Sequence, residues 1–168
     1  MLMFSLFGYR YSWKRTALAF LSALLIAVGV VLVRGDRVEV APDQKHATYI
    51  VEGKRVALGG AYSYFGNEAV GDLNGDGKDD IAFLFVAQPG GSGSFYYVAV
   101  ALAVQGGYRG TNAMLLGDRI APQTTRIQDG VLTVNYADRK SGEPFSARPS
   151  VGISKFFRIR NDSLVQTQ

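Results

Sequence analysis

Hydrophobic residues occur as short runs along most of the chain. One continuous apolar segment, residues 16–33, is followed by shorter runs that are rich in aromatic and β-branched side chains and bounded by glycine, proline or Asp-Gly pairs. Such runs predict strands joined by tight turns, and helical periodicity is scarce outside residues 16–33. We therefore expect a mainly β domain, as a small twisted sheet or sandwich, preceded by one N-terminal transmembrane helix.

Turn residues between paired runs indicate hairpins. The Asp-Gly pair at 129–130 supplies the left-handed backbone angles of a two-residue turn, and the Glu-Gly-Lys segment at 52–54 gives a similar signal. Residues 95–104 could form a helix by length, but the aromatic start of this run and the Gly-Gly pair after it favour a strand, central in the sheet with residues 81–86. The predicted strands are residues 48–51, 55–58, 81–86, 95–104, 113–116, 124–128, 131–136, 153–159 and 164–165.

The apolar segment is long enough to cross a bilayer. At 1.5 Å per helical residue, residues 16–33 span about 27 Å. Arg10, Lys14 and Arg15 precede the segment, which predicts a cytoplasmic N-terminus. A cleaved signal peptide is the alternative, but its small-residue cleavage site is missing, since the one candidate, Ala41, is followed by a proline.

An uncleaved signal anchor places the rest of the chain outside the cytoplasm. We expect a single-pass cell-membrane protein whose domain is periplasmic or extracellular. Its segments are a cytoplasmic part at 1–15, the anchor at 16–33, a linker at 34–47 and an extracytoplasmic β domain at 48–168 that holds a loop at 72–80.

Charge and composition exclude several classes of function. Residues 1–37 hold five of the 18 basic and one of the 14 acidic side chains, which leaves 13 of each in the rest of the chain. The predicted domain is thus neutral, and the net charge of +4 does not indicate nucleic-acid binding. The absence of cysteine excludes disulfides, a thiol nucleophile and a lipid-linked cysteine, and the single histidine, His46, disfavours a zinc site.

Residues 71–80, GDLNGDGKDD, carry the most specific chemistry. Oxygen-bearing side chains recur at alternate positions, and calcium takes six to eight oxygen ligands. Gly77 permits the sharp turn, whereas Asp79 falls outside the spacing. An acidic turn without metal is the alternative, although its carboxylates would repel one another. The predicted calcium ligands are Asp72, Asn74, Asp76, the backbone carbonyl of Lys78, and Asp80.

The loop also carries a family resemblance. It is not an EF-hand, because Phe83 stands where the twelfth position requires a glutamate. The pattern D-x-N-x-D-G-x-x-D-I, running into an apolar strand, resembles a single copy of the calcium loop of FG-GAP and VCBS-type repeats. Over residues 64–165 the chain also resembles small bacterial membrane-anchored envelope proteins of unknown function, with the elements GDLNGDGKDDIAFL, FYYVAVAL, LGDRI and VNYAD. These resemblances imply an envelope location and bound calcium, and no particular reaction.

The function we expect is a non-enzymatic binding or structural role in the cell envelope, with no catalytic residues and calcium as the cofactor. Alternatives are a metal-assisted hydrolase and an inhibitor or chaperone-like partner of another secreted protein. Besides the membrane itself, an envelope protein or an anionic polymer is the expected partner. The hydrolase alternative rests on Asp118, Arg119, Asp138 and Arg139. The contact residues of the inhibitor alternative would be Tyr62, Tyr64, Phe65, Tyr96 and Tyr97. A basic patch that could bind an anionic envelope polymer or lipid headgroups would consist of Arg148, Lys155, Arg158 and Arg160.

Overall fold

The computed structural model describes residues 39–168, and the predicted anchor at 16–33 lies outside this part. The described residues contain no helix long and apolar enough to cross a bilayer. They form three antiparallel sheets, which confirms the mainly β prediction. The strands are β1 (Thr48–Val51), β2 (Lys54–Ala57), β3 (Tyr62–Gly71), β4 (Asp80–Ala87), β5 (Phe95–Val104), β6 (Gly107–Gly110), β7 (Met114–Asp118), β8 (Ala121–Gln128), β9 (Val131–Asp138), β10 (Val151–Arg160) and β11 (Ser163–Thr167).

The largest sheet has the order β3-β4-β5, with β6 and β7 sharing the far edge of β5. Nearly every residue of β4 is buried, as is the middle of β5. Strands covered on both faces read as continuous apolar runs, so both were recognisable as central strands from the sequence.

A second sheet, with the order β11-β10-β9-β8, packs one face onto the largest sheet. Alternate residues of β9 point into this contact, and Leu132, Val134 and Tyr136 are at most 1% exposed. We call the resulting cluster the first core. Its buried members are Leu73, Ala82, Leu84, Val98, Val100, Leu102, Leu116, Ile120, Leu132, Val134, Tyr136, Phe157 and Leu164.

The hairpin β1-β2 covers the opposite face of the largest sheet and forms a second core. Tyr49 of this hairpin is fully buried and meets Phe83 edge to face, with ring centroids 5.3 Å apart. Ala41 and Ala47 also pack into the second core, and the compact unit begins at Val38. The packed domain therefore includes residues that the sequence analysis assigned to the 34–47 linker.

The N-terminal end of the domain pairs with β6. The N–H and carbonyl of Ala41 exchange hydrogen bonds with those of Tyr108, at 2.8 and 2.7 Å. Gly107 makes this approach possible, because a Cβ built there would lie 2.1 Å from the Ala41 carbonyl oxygen.

Between β6 and β7 the chain leaves the edge of β5. Here the Thr111 hydroxyl accepts the Val100 N–H at 3.2 Å, which replaces a missing backbone acceptor in the sheet. The backbone of residues 111–113 bonds instead to Ile50 of β1. The Thr111 carbonyl accepts the Ile50 N–H, and the Ala113 N–H donates to the Ile50 carbonyl. This detour links all three sheets, because the Asn112 side chain reaches Leu164 in β11.

Two strands were not predicted from the sequence. In β3 the register against β4 shifts on both sides of Gly66, and Asn67 has a positive φ of 54°. These irregularities disrupt the alternation of apolar and polar residues by which a strand is recognised. The other unpredicted strand, β6, is short and contains no apolar run.

Candidate calcium loop

The loop at 72–80 follows directly after β3, which ends at Gly71. Its last residue, Asp80, is the first residue of β4. Gly75 and Gly77 have φ angles of 83° and 81°, in the left-handed region that glycine tolerates best. Leu73 turns inward and is 4% exposed within the first core. The loop is consequently tied to the domain at its second residue, while residues 74–79 are exposed.

Asp72 organises the turn from its first position. Its Oδ1 accepts the N–H of Gly75 at 2.7 Å and of Asp76 at 3.2 Å, and its Oδ2 accepts the N–H of Gly77 at 2.9 Å. A carboxylate that caps successive N–H groups folds the backbone around itself. The predicted ligand residues therefore lie around one carboxylate rather than along an extended segment.

The next two predicted ligands repeat a smaller version of this turn. Asn74 Oδ1 accepts the Asp76 N–H, and Asp76 Oδ1 accepts the Lys78 N–H, both at 2.9 Å. The Lys78 N–H is the main cause that lowers the pKa of Asp76, and the Lys78 ammonium lies 3.5 Å from Asp76 Oδ2. Asp76 is thus ionised at neutral pH, as a calcium ligand must be.

Asp80 closes the loop from inside the protein. This side chain is fully buried at the start of β4. Its Oδ2 accepts the Leu73 N–H at 3.1 Å, and its Oδ1 accepts the Ala103 N–H at 2.9 Å. Burial raises the pKa of Asp80, and no basic side chain of the described residues forms an ion pair with it. The carboxylate therefore joins the loop to the end of β5 through backbone groups.

The donor set fits calcium in its chemistry, since every candidate ligand atom is an oxygen. A carboxylate has about four lone-pair sites, so those that accept one to three N–H groups retain capacity for a cation. Within residues 39–168, no three His, Cys, Asp or Glu side chains already converge as a formed metal cluster. Closure of the Asp72, Asn74 and Asp76 oxygens on an ion would therefore require their side chains to adjust.

The four residues of the hydrolase alternative make hydrogen bonds to one another and to nearby backbone groups. Arg119 donates to both oxygens of Asp118, at 3.1 and 2.9 Å, and this pair lowers the pKa of Asp118. Arg139 donates to the backbone carbonyls of Ala147 and Arg119. The Asp138 carboxylate caps the Arg139 N–H at 2.7 Å. These side chains hold the chain segments around them in place.

The aromatic residues of the inhibitor alternative divide into core and surface. Tyr97 is buried and stacks on Phe85 with ring centroids 5.3 Å apart, whereas Phe65 is 47% exposed. A groove of about 320 Å³ lies beside Tyr97, between the β1-β2 hairpin and the largest sheet. Its lining residues are Val51, Glu52, Lys54, Tyr62, Ala87, Pro89, Phe95, Tyr97 and Leu115.

The residues of the predicted basic patch do not share one face. Lys155 lies on the inner side of β10, where its ammonium donates to the Leu115 carbonyl at 3.2 Å. Arg158 and Arg160 are exposed on the outer side, and Arg148 lies in the loop before β10. Sequence reasoning missed Arg126 of β8, which two strand pairings place on the same outer side.

Comparisons with protein families, with characterised proteins and with solved structures find no match for this chain.

Proposed function

We propose that this protein is a single-pass membrane protein whose extracytoplasmic domain binds one calcium ion and has a non-enzymatic binding or structural role in the cell envelope. The ligands are Asp72, Asn74, Asp76, the Lys78 carbonyl and Asp80. The anchor is the apolar segment 16–33, with its N-terminus in the cytoplasm.

One observation carries the calcium proposal. The exposed part of the loop is folded around Asp72, and its buried end is fixed by Asp80, so oxygen groups from both ends are held near the same turn. Burying a charged carboxylate such as Asp80 without an ionic partner is costly in free energy. An acidic turn that binds no metal would have no need of a carboxylate in that position. A bound cation would offset that cost and the repulsion among the loop carboxylates.

Calcium in this loop would act as a structural cross-link. It would hold the exposed residues 74–78 against the first strand residue of β4. An ion that binds only the folded state stabilises it by about 2.7 kcal/mol at a concentration one hundred times its dissociation constant. The five protein ligands, with one carboxylate binding through both oxygens, would give calcium six oxygens, which is the lower end of its usual coordination number and suits a structural ion.

The test is a calorimetric titration of calcium into the unit Val38–Gln168, which contains both cores. The expected result is saturable binding with one ion per chain. Asp76→Ala should abolish it. Asp79→Ala is the matched control, because it removes a neighbouring carboxylate outside the ligand spacing and should retain binding.

Equal loss of binding in both variants would indicate diffuse attraction to negative charge and not a defined site. No heat of binding in the parent domain would reduce the loop to a self-capped acidic turn. The anchor is tested separately, by asking whether the full chain stays in the membrane fraction after alkaline carbonate extraction. Release into the supernatant would contradict the membrane part of the proposal.

A further inference from the structure

The solvent-facing side of the four-stranded sheet is a basic surface. The inner side of this sheet belongs to the first core, and alternation along the strands sends the intervening residues outward. Three arginines on this side, Arg126, Arg158 and Arg160, are all exposed. We call this side, from β8 to β11, the outer face.

No carboxylate from within these strands lies beside the arginines on the outer face. Within the four strands themselves the one acidic residue is Asp138, while Asp129 lies in the β8-β9 turn and Asp162, in the β10-β11 turn, pairs with Arg109. The Oδ2 of Asp138 lies on the inner side, 3.5 Å from the position a Cβ would take on Gly117 of the largest sheet. None of the three arginines forms an ion pair within residues 39–168. Arg158 donates one hydrogen bond to the Gly130 carbonyl at 3.2 Å, a neutral acceptor, so the positive charges of all three arginines remain without an ionic partner in this part of the chain.

Apolar side chains lie between the arginines. Cross-strand pairing places Arg126, Thr133 and Phe156 in one row, and the next row brings Val165 opposite Arg158. Phe156 is 40% exposed and Val165 is 36% exposed. At a strand spacing of about 4.8 Å, Arg126 is about 10 Å from β10, so positive charge flanks Phe156 on more than one side.

We propose that the outer face docks against a bilayer surface that contains anionic phospholipids. Guanidinium groups pair with lipid phosphates, and an aromatic ring among them enters the headgroup zone. This inference rests on the proposed anchor only because the anchor keeps the domain near a membrane, and it does not depend on calcium.

The expected strength follows from the charge count. Each arginine close to an anionic leaflet contributes about fivefold in affinity. Reversing Arg158 and Arg160 removes two such contributions and adds repulsion, so affinity should fall at least about 25-fold. Because electrostatic attraction is screened by salt, docking should weaken as ionic strength rises.

The native chain contains no cysteine, so one introduced thiol reports on one surface. The full chain is placed in nanodiscs of phosphatidylcholine alone or mixed with phosphatidylglycerol, in EDTA. A water-soluble maleimide then labels Ser154→Cys on the outer face or, as control, Arg55→Cys on β2. Both native residues are exposed, on opposite sides of the largest sheet.

Ser154→Cys should react about tenfold more slowly in anionic discs than in neutral ones, while Arg55→Cys reacts equally in both. Adding Arg158→Glu and Arg160→Glu, or the milder Arg158→Gln and Arg160→Gln if the first pair does not fold, should remove the protection. Equal labelling of Ser154→Cys in both discs overturns the proposal. Protection by soluble polyphosphate in neutral discs, without protection in anionic discs, assigns the face to a polyanion and also overturns it.

If the segment 16–33 does not insert into membranes, the chain will incorporate into neither disc. This result differs from equal labelling in both discs, which contradicts the outer face. Sedimentation of the same variants with vesicles of the two lipid compositions then decides the question. Retention on anionic vesicles that is lost on charge reversal supports the outer face, and equal retention on both compositions contradicts it. Failure of calcium binding leaves every one of these measurements unchanged, because all are made in EDTA.

Discussion

The side chain of Asn112 pairs with the backbone of Leu164 as a neighbouring strand would. Its Oδ1 accepts the Leu164 N–H at 2.7 Å, and its Nδ2 donates to the Leu164 carbonyl at 2.9 Å. Because Asn112 lies between β6 and β7, one amide group attaches the last strand of the domain to the junction where the chain leaves the largest sheet.

Replacing Asn112 with alanine should destabilise the domain by about 2–4 kcal/mol, because two partly buried backbone groups lose their partners. Chemical denaturation of the purified domain measures the change. Asn135→Ala is the control, since Asn135 bonds only to exposed Thr124 and Ser154, and it should cost less than about 1 kcal/mol. If the two variants lose the same free energy of unfolding, the Asn112 contact does not stabilise the domain more than an exposed hydrogen bond does.

Gly110 should not tolerate a larger residue. A Cβ there would lie 2.2 Å from the Thr48 carbonyl oxygen and 2.8 Å from the Tyr49 ring. We expect Gly110→Ala to destabilise the domain by about 3 kcal/mol, through displacement of the β1-β2 hairpin. Gly152→Ala, in open space on β10, should stabilise it by about 0.5 kcal/mol. Thermal unfolding of the two variants distinguishes these directions.

Stability should fall at high pH because of buried tyrosines. Burial, and then the hydrogen bond to Glu52, raise the pKa of Tyr97 from 10.0 to about 12. The unfolded chain loses this proton first, so the stabilising contribution is complete below pH 10.0 and is lost as pH rises to about 12. The near-ultraviolet absorbance of tyrosinate follows the titration. Tyr97→Phe should remove one late-titrating group, and an unchanged curve would contradict the assignment.

Lys78 should serve calcium through its carbonyl and not through its side chain. Its ammonium, 3.5 Å from Asp76, competes with a cation for that carboxylate. Lys78→Ala should therefore retain calcium binding and tighten it by up to about fivefold. Calorimetric titration beside the parent domain measures the affinity. Loss of binding would show that the loop needs the lysine side chain, which the proposed ligand set does not include.

Local sequence signals predicted those parts of the fold that depend on local chemistry. The Asp-Gly turn at 129–130 and the apolar run at 81–86 became a hairpin and a central strand, because turn angles and burial on both faces are properties of neighbouring residues. The bulged strand β3 and the detour at Asn112 depend on partners far along the chain, which no local pattern reveals.

The same distinction applies to the candidate site. The alternate oxygen residues of the loop were visible in the sequence, and the structure gives them a turn around Asp72. The complete burial of Asp80 was not visible, because its cover comes from β5 and the first core. The outer face was only half visible, since Arg126 joins Arg158 and Arg160 through strand pairing across β9.

The two hydrogen bonds between Ala41 and Tyr108 also have a mechanical meaning. A pull on the N-terminal end of the described domain meets first the hydrogen bond from Thr48 of β1 to Glu39, and then, two residues further on, this bridge. Tension would be carried directly into β6, at the edge of the largest sheet, and the load would be shared with the strand beside it. The N-terminal end of the domain is thus fastened both to the β1-β2 hairpin and to the edge of the largest sheet, and a load on it is divided between the two.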